Sequence, residues 1–215
     1  MKSKDFVQDS TYAGYFGTYR GLLARLLNHD PAMFDLPHDA LIVDAGCGYG
    51  DLLLLLKQRG YRHLTGIEPD EACRAGALAV GLDVREGTLG ALGLPDEYAD
   101  VIIVNEVFHH VADYEASCTE LRRVIKPGGL LCFIEPQGTL LRRVMDGLTF
   151  HTPLRRFVPA VEARYQVMIL EVETGLYPAF LREQKSFTRA LDRRFECQWR
   201  RRGWFFQFGK YLAKR

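Results

Sequence analysis

Paired cysteines are missing from this 215-residue chain. Its five cysteines, Cys47, Cys73, Cys118, Cys132 and Cys197, are odd in number and never form a Cys-x-x-Cys pair. That excludes a disulfide framework and gives no zinc-site signature. Long apolar runs are also absent: the longest aliphatic stretch is the pentad Leu52–Leu56, far short of the ~20 residues of a membrane span. The first residues, Met1-Lys2-Ser3-Lys4-Asp5, lack the apolar segment of a secretory signal, which predicts a cytoplasmic protein. Charge of one sign is scarce as well, with a net charge of +1. That balance hides an asymmetry, because residues 181–215 carry eleven Lys/Arg against three Asp/Glu. Such a basic end suits either a solvated charged face or an anionic partner. With 47 % apolar and 26 % charged residues, neither a disordered nor a fibrous class fits, and one domain is the expectation.

What is present is organised around Leu41-Ile42-Val43-Asp44-Ala45-Gly46-Cys47-Gly48-Tyr49-Gly50. An apolar, partly β-branched run reads as a strand buried on both faces, and glycines on alternate positions then make a turn that a ligand can approach closely. Asp51 and the leucines after it suit a helix closed by Gly60, whose first amides face whatever lies above the turn. The rhythm continues with a strand from His63 to Ile67 ending at Glu68, a helix over Asp70–Val80, and a short strand over Leu82–Arg85. The loop Glu86-Gly87-Thr88-Leu89 and the strand Asp100–Asn105 follow, then a helix from Asp113 to Ile125 and a strand from Leu130 to Ile134. Alternating strands and helices predict right-handed βαβ units and a mostly parallel sheet covered on both faces. Lys126-Pro127-Gly128-Gly129 is expected to end the helix that starts at Asp113. Ser186 is expected to cap the last helix, and Arg200–Gly203 to be the tight turn of a closing hairpin.

In such a sheet, ligands lie beyond the carboxyl ends of the strands where strand order reverses. Glu68 is placed to take both hydroxyls of a ribose. Thr88 and Leu89 are placed to flank a base, with Asn105 and Glu106 beside the glycine turn, so the pattern describes a nucleoside pocket. The dinucleotide spacing G-x-G-x-x-G would require a third glycine where Asp51 stands, and no Gly-Lys-Ser/Thr of a phosphate-binding P-loop follows.

Val43–Gly50 resembles motif I of the class I S-adenosylmethionine-dependent methyltransferases. Ile67-Glu68-Pro69 resembles the acidic ribose motif of that family, Asn105–Val111 its strand-four motif, and Leu121–Gly129 its signature between helix and strand five. The resemblance implies an α/β, Rossmann-like, doubly wound, mostly parallel seven-stranded sheet with an antiparallel terminal hairpin and a helical lid. It also implies S-adenosylmethionine as cofactor and S-adenosylhomocysteine as product. The expected division is one methyltransferase domain over 1–215: an N-terminal helical cap (1–40), a cofactor-binding core (41–136), a helical lid (137–185), and a last helix with hairpin (186–215). Residues expected at the cofactor are Tyr19, Asp44, Gly46, Cys47, Gly48, Gly50, Glu68, Pro69, Gly87, Thr88, Leu89, Asn105 and Glu106. Asp44 and Gly46 face its amino acid end, and no metal is expected. Gly87-Thr88 departs from the Gly-Asp of many relatives, and Ala99-Asp100 from their Phe-Asp.

Methyl transfer needs a nucleophile placed in line, with a general base for an oxygen or protonated nitrogen acceptor. His109, His110, Glu135 and Tyr15 are the candidates, with His151 behind them. Tyr12, Tyr15 and Tyr19 share one face of a helix over Thr11–Leu27. Tyr12 and Tyr15 with Phe16, Leu148, Phe150, Phe157, Tyr165, Met168, Tyr177 and Phe180 would make an apolar lid. That lid suits a small or medium hydrophobic acceptor, with Arg142, Arg143, Arg155 or Arg156 to read an acidic group. Nothing at strand four resembles a nucleic-acid methyltransferase motif, and the oligomer expected is a monomer or homodimer. The competing readings are a nicotinamide oxidoreductase, which lacks its third glycine here, and a non-catalytic or RNA-directed protein of the same fold using Arg200–Arg202.

Overall fold

In the computed structural model, residues 35–214 are described. The expected helix over Thr11–Leu27, with Tyr12, Tyr15, Phe16 and Tyr19, lies outside them.

Seven strands form one sheet in the order β3-β2-β1-β4-β5-β7-β6. They are β1 (Leu41–Ala45), β2 (His63–Ile67), β3 (Val84–Arg85), β4 (Ala99–Asn105), β5 (Ile125–Pro136), β6 (Phe195–Arg202) and β7 (Phe206–Ala213). The first five are parallel, and β7 enters antiparallel between β5 and β6. Helices α1 (Asp51–Gln58), α2 (Glu71–Ala79) and α3 (Tyr114–Val124) make the crossovers. A helical stretch, α4 (Leu140–His151), α5 (Pro159–Glu173) and α6 (Leu176–Arg182), comes before α7 (Gln184–Arg194), which leads into the hairpin.

Side chains sort to the two sheet faces as the period-two rule of strands demands. Val43, Ile102, Val104, Leu131 and Phe133 point to one face, where they meet Phe108, Leu121, Phe180, Phe187 and Tyr211. Ile42, Val101, Ile103, Cys132 and Ile134 point to the other, against Leu52 and Leu56 of α1. The aromatic group at Phe133 is edge-on to Phe108 (centroids 6.2 Å) and Phe187 (5.3 Å), the geometry that ring quadrupoles favour. Helix starts follow the sequence signals: Asp70 accepts from Cys73 N and Asp113 from Ala116 N, each filling an orphan amide of a first turn.

Three expectations are corrected. Lys126–Gly129 does not separate helix from strand but forms the start of β5, whose pairing with β4 shifts between Ala99 and Val101. Ser186 is not the cap of α7: the helix begins at Gln184 after Glu183, which makes no side-chain cap bond, and Ser186 N already donates to the Glu183 carbonyl. Arg200–Arg202 are not the hairpin turn but the end of β6, and the chain reverses through Gly203, whose N–H reaches Phe206 O at 2.8 Å. Arg200 is held in the strand because its guanidinium bonds Thr188 on α7 and Gln207 on β7. Part of the basic end is likewise neutralised, Arg193 and Arg194 both pairing with Glu115.

Gly209 on β7 lies where a Cβ would come 2.3 Å from the Phe133 ring. Gly209→Ala is therefore expected to cost about 1–3 kcal/mol through overpacking. Urea denaturation checks this through a lowered midpoint at unchanged slope.

Candidate functional site

Strand order reverses between β1 and β4, and at their carboxyl ends a cavity of about 540 Å³ opens. One wall is the glycine turn. Gly46 N and Cys47 N both donate to Ile67 O (2.7 and 3.1 Å), which turns the chain sharply off β1. Gly46 has φ +83, and a Cβ there would meet Val107 Cγ2 at 2.3 Å, so both conformation and space require glycine. Gly48 (φ +53) would place a Cβ within 4 Å of nothing, and its main chain lines the cavity.

Glu68, at the end of β2, holds this turn. Its Oε2 accepts from Gly48 N (2.8 Å) and its Oε1 from Asp70 N (3.0 Å). Asp44 and Asp51 add two further carboxylates to the same wall. Desolvation pushes the wholly buried Asp44 up to about 8 from 3.8, with the charges of Glu68 and Asp51 adding to it. Burial also raises Glu68. Asp44 Oδ1 has no hydrogen-bond partner among the described residues, a costly state for a buried polar atom that marks a place for a donor. Burial likewise pushes the thiols of Cys47 and Cys73 up, which keeps them protonated and unreactive.

The second wall comes from the end of β4. Asn105 and Glu106 line the cavity, and Glu106 holds φ +56, a left-handed conformation that a non-glycine side chain adopts at a cost. Its N–H donates to Ile134 O at 2.7 Å, which fixes it. The chain then makes a single 3₁₀ turn, Phe108–His110, separate from α3, so the two histidines do not begin that helix as the sequence suggests. Glu135, fully buried at the end of β5, organises this turn. Its Oε1 accepts from Val107 N (2.8 Å) and Phe108 N (2.7 Å), and its Oε2 lies 2.9 Å from His109 Nδ1. His109 and His110 both line the cavity with ring centroids 4.1 Å apart, whereas Glu135 stands behind them.

The third wall is the lid and the hairpin tip. Met145 and Arg142 come from α4, Arg164 and Met168 from α5, Tyr177 from α6, and Phe205 and Phe206 from the β6–β7 turn and β7. Tyr177 Oη accepts from Arg142 Nη1 (3.0 Å) and reaches Asp146 Oδ2 (3.3 Å), while Arg164 pairs with Asp146 at 2.5 Å. The lid helices are thus joined by polar bonds at the cavity's edge.

Of the residues expected at the cofactor, Asp44, Gly46, Cys47, Gly48, Glu68, Pro69, Asn105 and Glu106 line one cavity. Gly50 does not: it is the N-cap of α1, a Cβ there falling 2.2 Å from Leu82. Gly87, Thr88 and Leu89 also lie outside the lining, Leu89 being buried in the core and Thr88 bridged to Ala91. Tyr15 and Tyr19 fall outside the described residues. Met168 and Tyr177 are the apolar lid residues that reach the cavity, while Phe180 joins the core and Phe157 is exposed. Among the four candidate arginines only Arg142 lines it. Arg164, Met145, Phe205 and Phe206 carry no motif signal, whereas Val107 lies within the strand-four motif without being singled out as a site residue. The aromatic pair beside Gly203 was the nearest clue, because large apolar residues at a hairpin tip need a surface to cover.

This geometry agrees with comparisons to known proteins. Residues 43–133 match the family model described as a methyltransferase domain. A Mycolicibacterium smegmatis protein described as a probable S-adenosylmethionine-dependent methyltransferase is 34 % identical over 121 residues, 54 % of this chain and 44 % of that protein. The demethylmenaquinone methyltransferase of Thermus thermophilus is 36 % identical over 129 residues, 55 % of this chain and 56 % of that protein. The chain thus spans about half the length of the curated relatives it matches. A solved S-adenosylmethionine-dependent methyltransferase from Thermotoga maritima shares the fold, with a TM-score of 0.59 at 18 % identity, covering 95 % of this chain and 98 % of that one. The sheet order, the glycine turn with its acid, and these matches define a Rossmann-like methyltransferase fold. Over residues 43–133 the chain is similar to the methyltransferase domain family, and the description of the Mycolicibacterium relative names S-adenosylmethionine as the cofactor of that protein. No helix among the described residues is long and apolar enough to cross a membrane.

Because the folded protein holds the Asp44 proton up to about pH 8 and the unfolded chain loses it near 3.8, this group's contribution to stability declines between those values as pH rises. Each tenfold change in its acidity is worth about 1.4 kcal/mol. Asp44→Asn is therefore expected to gain in stability over wild type by about 1 kcal/mol or more between pH 6 and 8, with the gap levelling above pH 8. Thermal denaturation of the ligand-free protein across pH 5–9 checks this, and parallel curves would contradict it.

Proposed function

We propose that this chain binds S-adenosylmethionine over the glycine turn and transfers its methyl group to an oxygen or nitrogen of an apolar small-molecule acceptor. The observation that carries the reading is a single cavity with a buried acidic wall at one side, Asp44 and Glu68, and the Glu135–His109 pair at the other.

The residues present fit the cofactor. The orphaned Asp44 Oδ1 needs a donor, as an ammonium supplies, and an acidic wall favours a ligand bearing positive charge. Each Glu68 oxygen uses one acceptor site on a backbone amide and keeps another for a ribose hydroxyl. Gly48 leaves the main chain open to the ligand. When bound, S-adenosylmethionine supplies an electrophilic methyl group on a sulfonium sulfur.

The protein's own part is placement and proton handling. With Oε1 taking two backbone N–H bonds, Glu135 is held as an acceptor, so its Oε2 takes the His109 Nδ1–H and Nε2 becomes the basic nitrogen of the ring. His109 Nε2 would take the proton that the acceptor atom gives up as it is methylated. Aromatic and thioether side chains from the lid exclude water from that step. The Thermus relative is named for demethylmenaquinone, and an apolar ring of that kind in its hydroxyl-bearing quinol form suits these walls.

Calorimetric titration with S-adenosylmethionine and S-adenosylhomocysteine tests the first step. Wild type is expected to bind at millimolar concentration or better, and Glu68→Ala to weaken binding by about 1.5–3 kcal/mol, as for a hydrogen bond to a charged group. No binding by wild type sinks the proposal. For whichever acceptor yields S-adenosylhomocysteine, His109→Ala is expected to lower turnover about 10²–10⁴-fold while leaving S-adenosylhomocysteine affinity within twofold. Turnover at the wild-type rate would remove His109 from the chemistry.

A further inference from the structure

The cavity is divided by charge. Its glycine-turn side carries Asp44, Asp51, Glu68 and Glu106, and its lid side carries Arg142 and Arg164. Arg164 is compensated by Asp146 at 2.5 Å. Arg142 is not: although it is only 6 % exposed, no described carboxylate forms an ion pair with it. Its guanidinium donates through Nε and Nη2 to Phe205 O (3.1 and 2.5 Å) and through Nη1 to Tyr177 Oη (3.0 Å). A guanidinium has five N–H groups, so one on each terminal nitrogen is left over by these bonds. The same group lies over the rings of Phe205 (5.8 Å) and Phe206 (5.2 Å), which hold its plane.

A buried cation without an anion costs several kcal/mol, and a fold carries that cost where a ligand relieves it. The lid side, counting Arg142, Arg164 and Asp146, has one uncompensated positive charge. One negative charge balances it, and two would overshoot. Two N–H groups from a rigid fork match the two oxygens of a carboxylate. Around them, Met145, Met168 and the Phe205–Phe206 pair form apolar walls.

We propose that the methyl acceptor is an apolar molecule bearing a carboxylate, that Arg142 binds this carboxylate at the lid end of the cavity, and that the atom to be methylated lies on the His109 side. The assignment rests on the reading of the cavity as a methyl-transfer site. Arg142 sets specificity: the carboxylate fixes which end of the acceptor points to the lid and so which atom meets the methyl group.

The test uses full-length protein saturated with S-adenosylhomocysteine and three matched probe pairs: 4-hydroxybenzoate, 4-hydroxyphenylacetate and 4-hydroxycinnamate, each against its carboxamide. Calorimetry is expected to show at least one acid binding tenfold or more tighter than its own amide. Arg142→Met is expected to abolish that preference by weakening the acid at least tenfold with the amide unchanged within twofold, and Arg142→Lys to restore part of it. Retained S-adenosylhomocysteine binding by the variants shows that the fold and the cofactor side are intact. Should Arg142→Met fail to fold, Arg142→Lys and the wild-type acid-to-amide ratio decide. Equal affinity of every acid and its amide for wild type overturns the proposal, as does an acid preference that survives Arg142→Met. Failure of all six probes to bind protein that does bind S-adenosylhomocysteine overturns it too. That last result leaves the cofactor reading standing, whereas loss of S-adenosylhomocysteine binding would strike the reading beneath it.

Discussion

The site depends on one topological constraint, the reversal of strand order between β1 and β4. The chain runs outward from β1 to β2 and β3, then returns to pair β4 with the other side of β1. The crossover helices on either side diverge there, and the carboxyl ends of two central parallel strands are left facing a gap that no side chain of the sheet fills. The turn after β1 and the turn after β4 then border the same space. Polar groups that would be misplaced in the core, Asp44, Glu68 and Glu135, collect around it, and the two glutamates are tied by backbone amides rather than by one another.

The core was legible because its physics is local. Alternating glycines after a β-branched run can mean little but a turn, Asp70 and Asp113 announce helix starts, and the spacing of strands fixes a parallel sheet. The misread features are ones where long-range packing overrides the local signal. Lys126–Gly129 has the composition of a turn, yet Ile125 before it pairs with Ala99 and Leu130 after it pairs with Val101, so it is held as a bulge inside one strand. The arginines at 200–202 look like a solvated loop tip, yet Thr188 and Gln207 hold Arg200 in line.

The lid was the least readable part for the same reason. Arg142 and Arg143 are neighbours of identical chemistry, and only the approach of the hairpin tip decides that the first is buried against Phe205 while the second is exposed. Arg164 reaches the cavity because Asp146, eighteen positions earlier and on another helix, anchors it. No window of sequence contains such contacts. The glycine turn and Glu68 show the opposite case: their partners, Ile67 and Gly48, lie within the signatures themselves, so the motif and the geometry are one object.

Gly46 and Val107 belong to different motifs, sixty-one positions apart, and yet they touch: the place a Cβ would take at 46 is already filled by the Val107 side chain. Val107 in turn donates its N–H to the carboxylate that holds His109. Neither position can drift alone. A bulkier residue at 46 would press on the histidine turn, and a smaller one at 107 would slacken the glycine turn, so their substitution effects are coupled rather than additive. Evolution of this fold must carry the two walls of the crevice as a single inherited unit, while the lid, which shares no such contact with Gly46, remains free to change what it recognises.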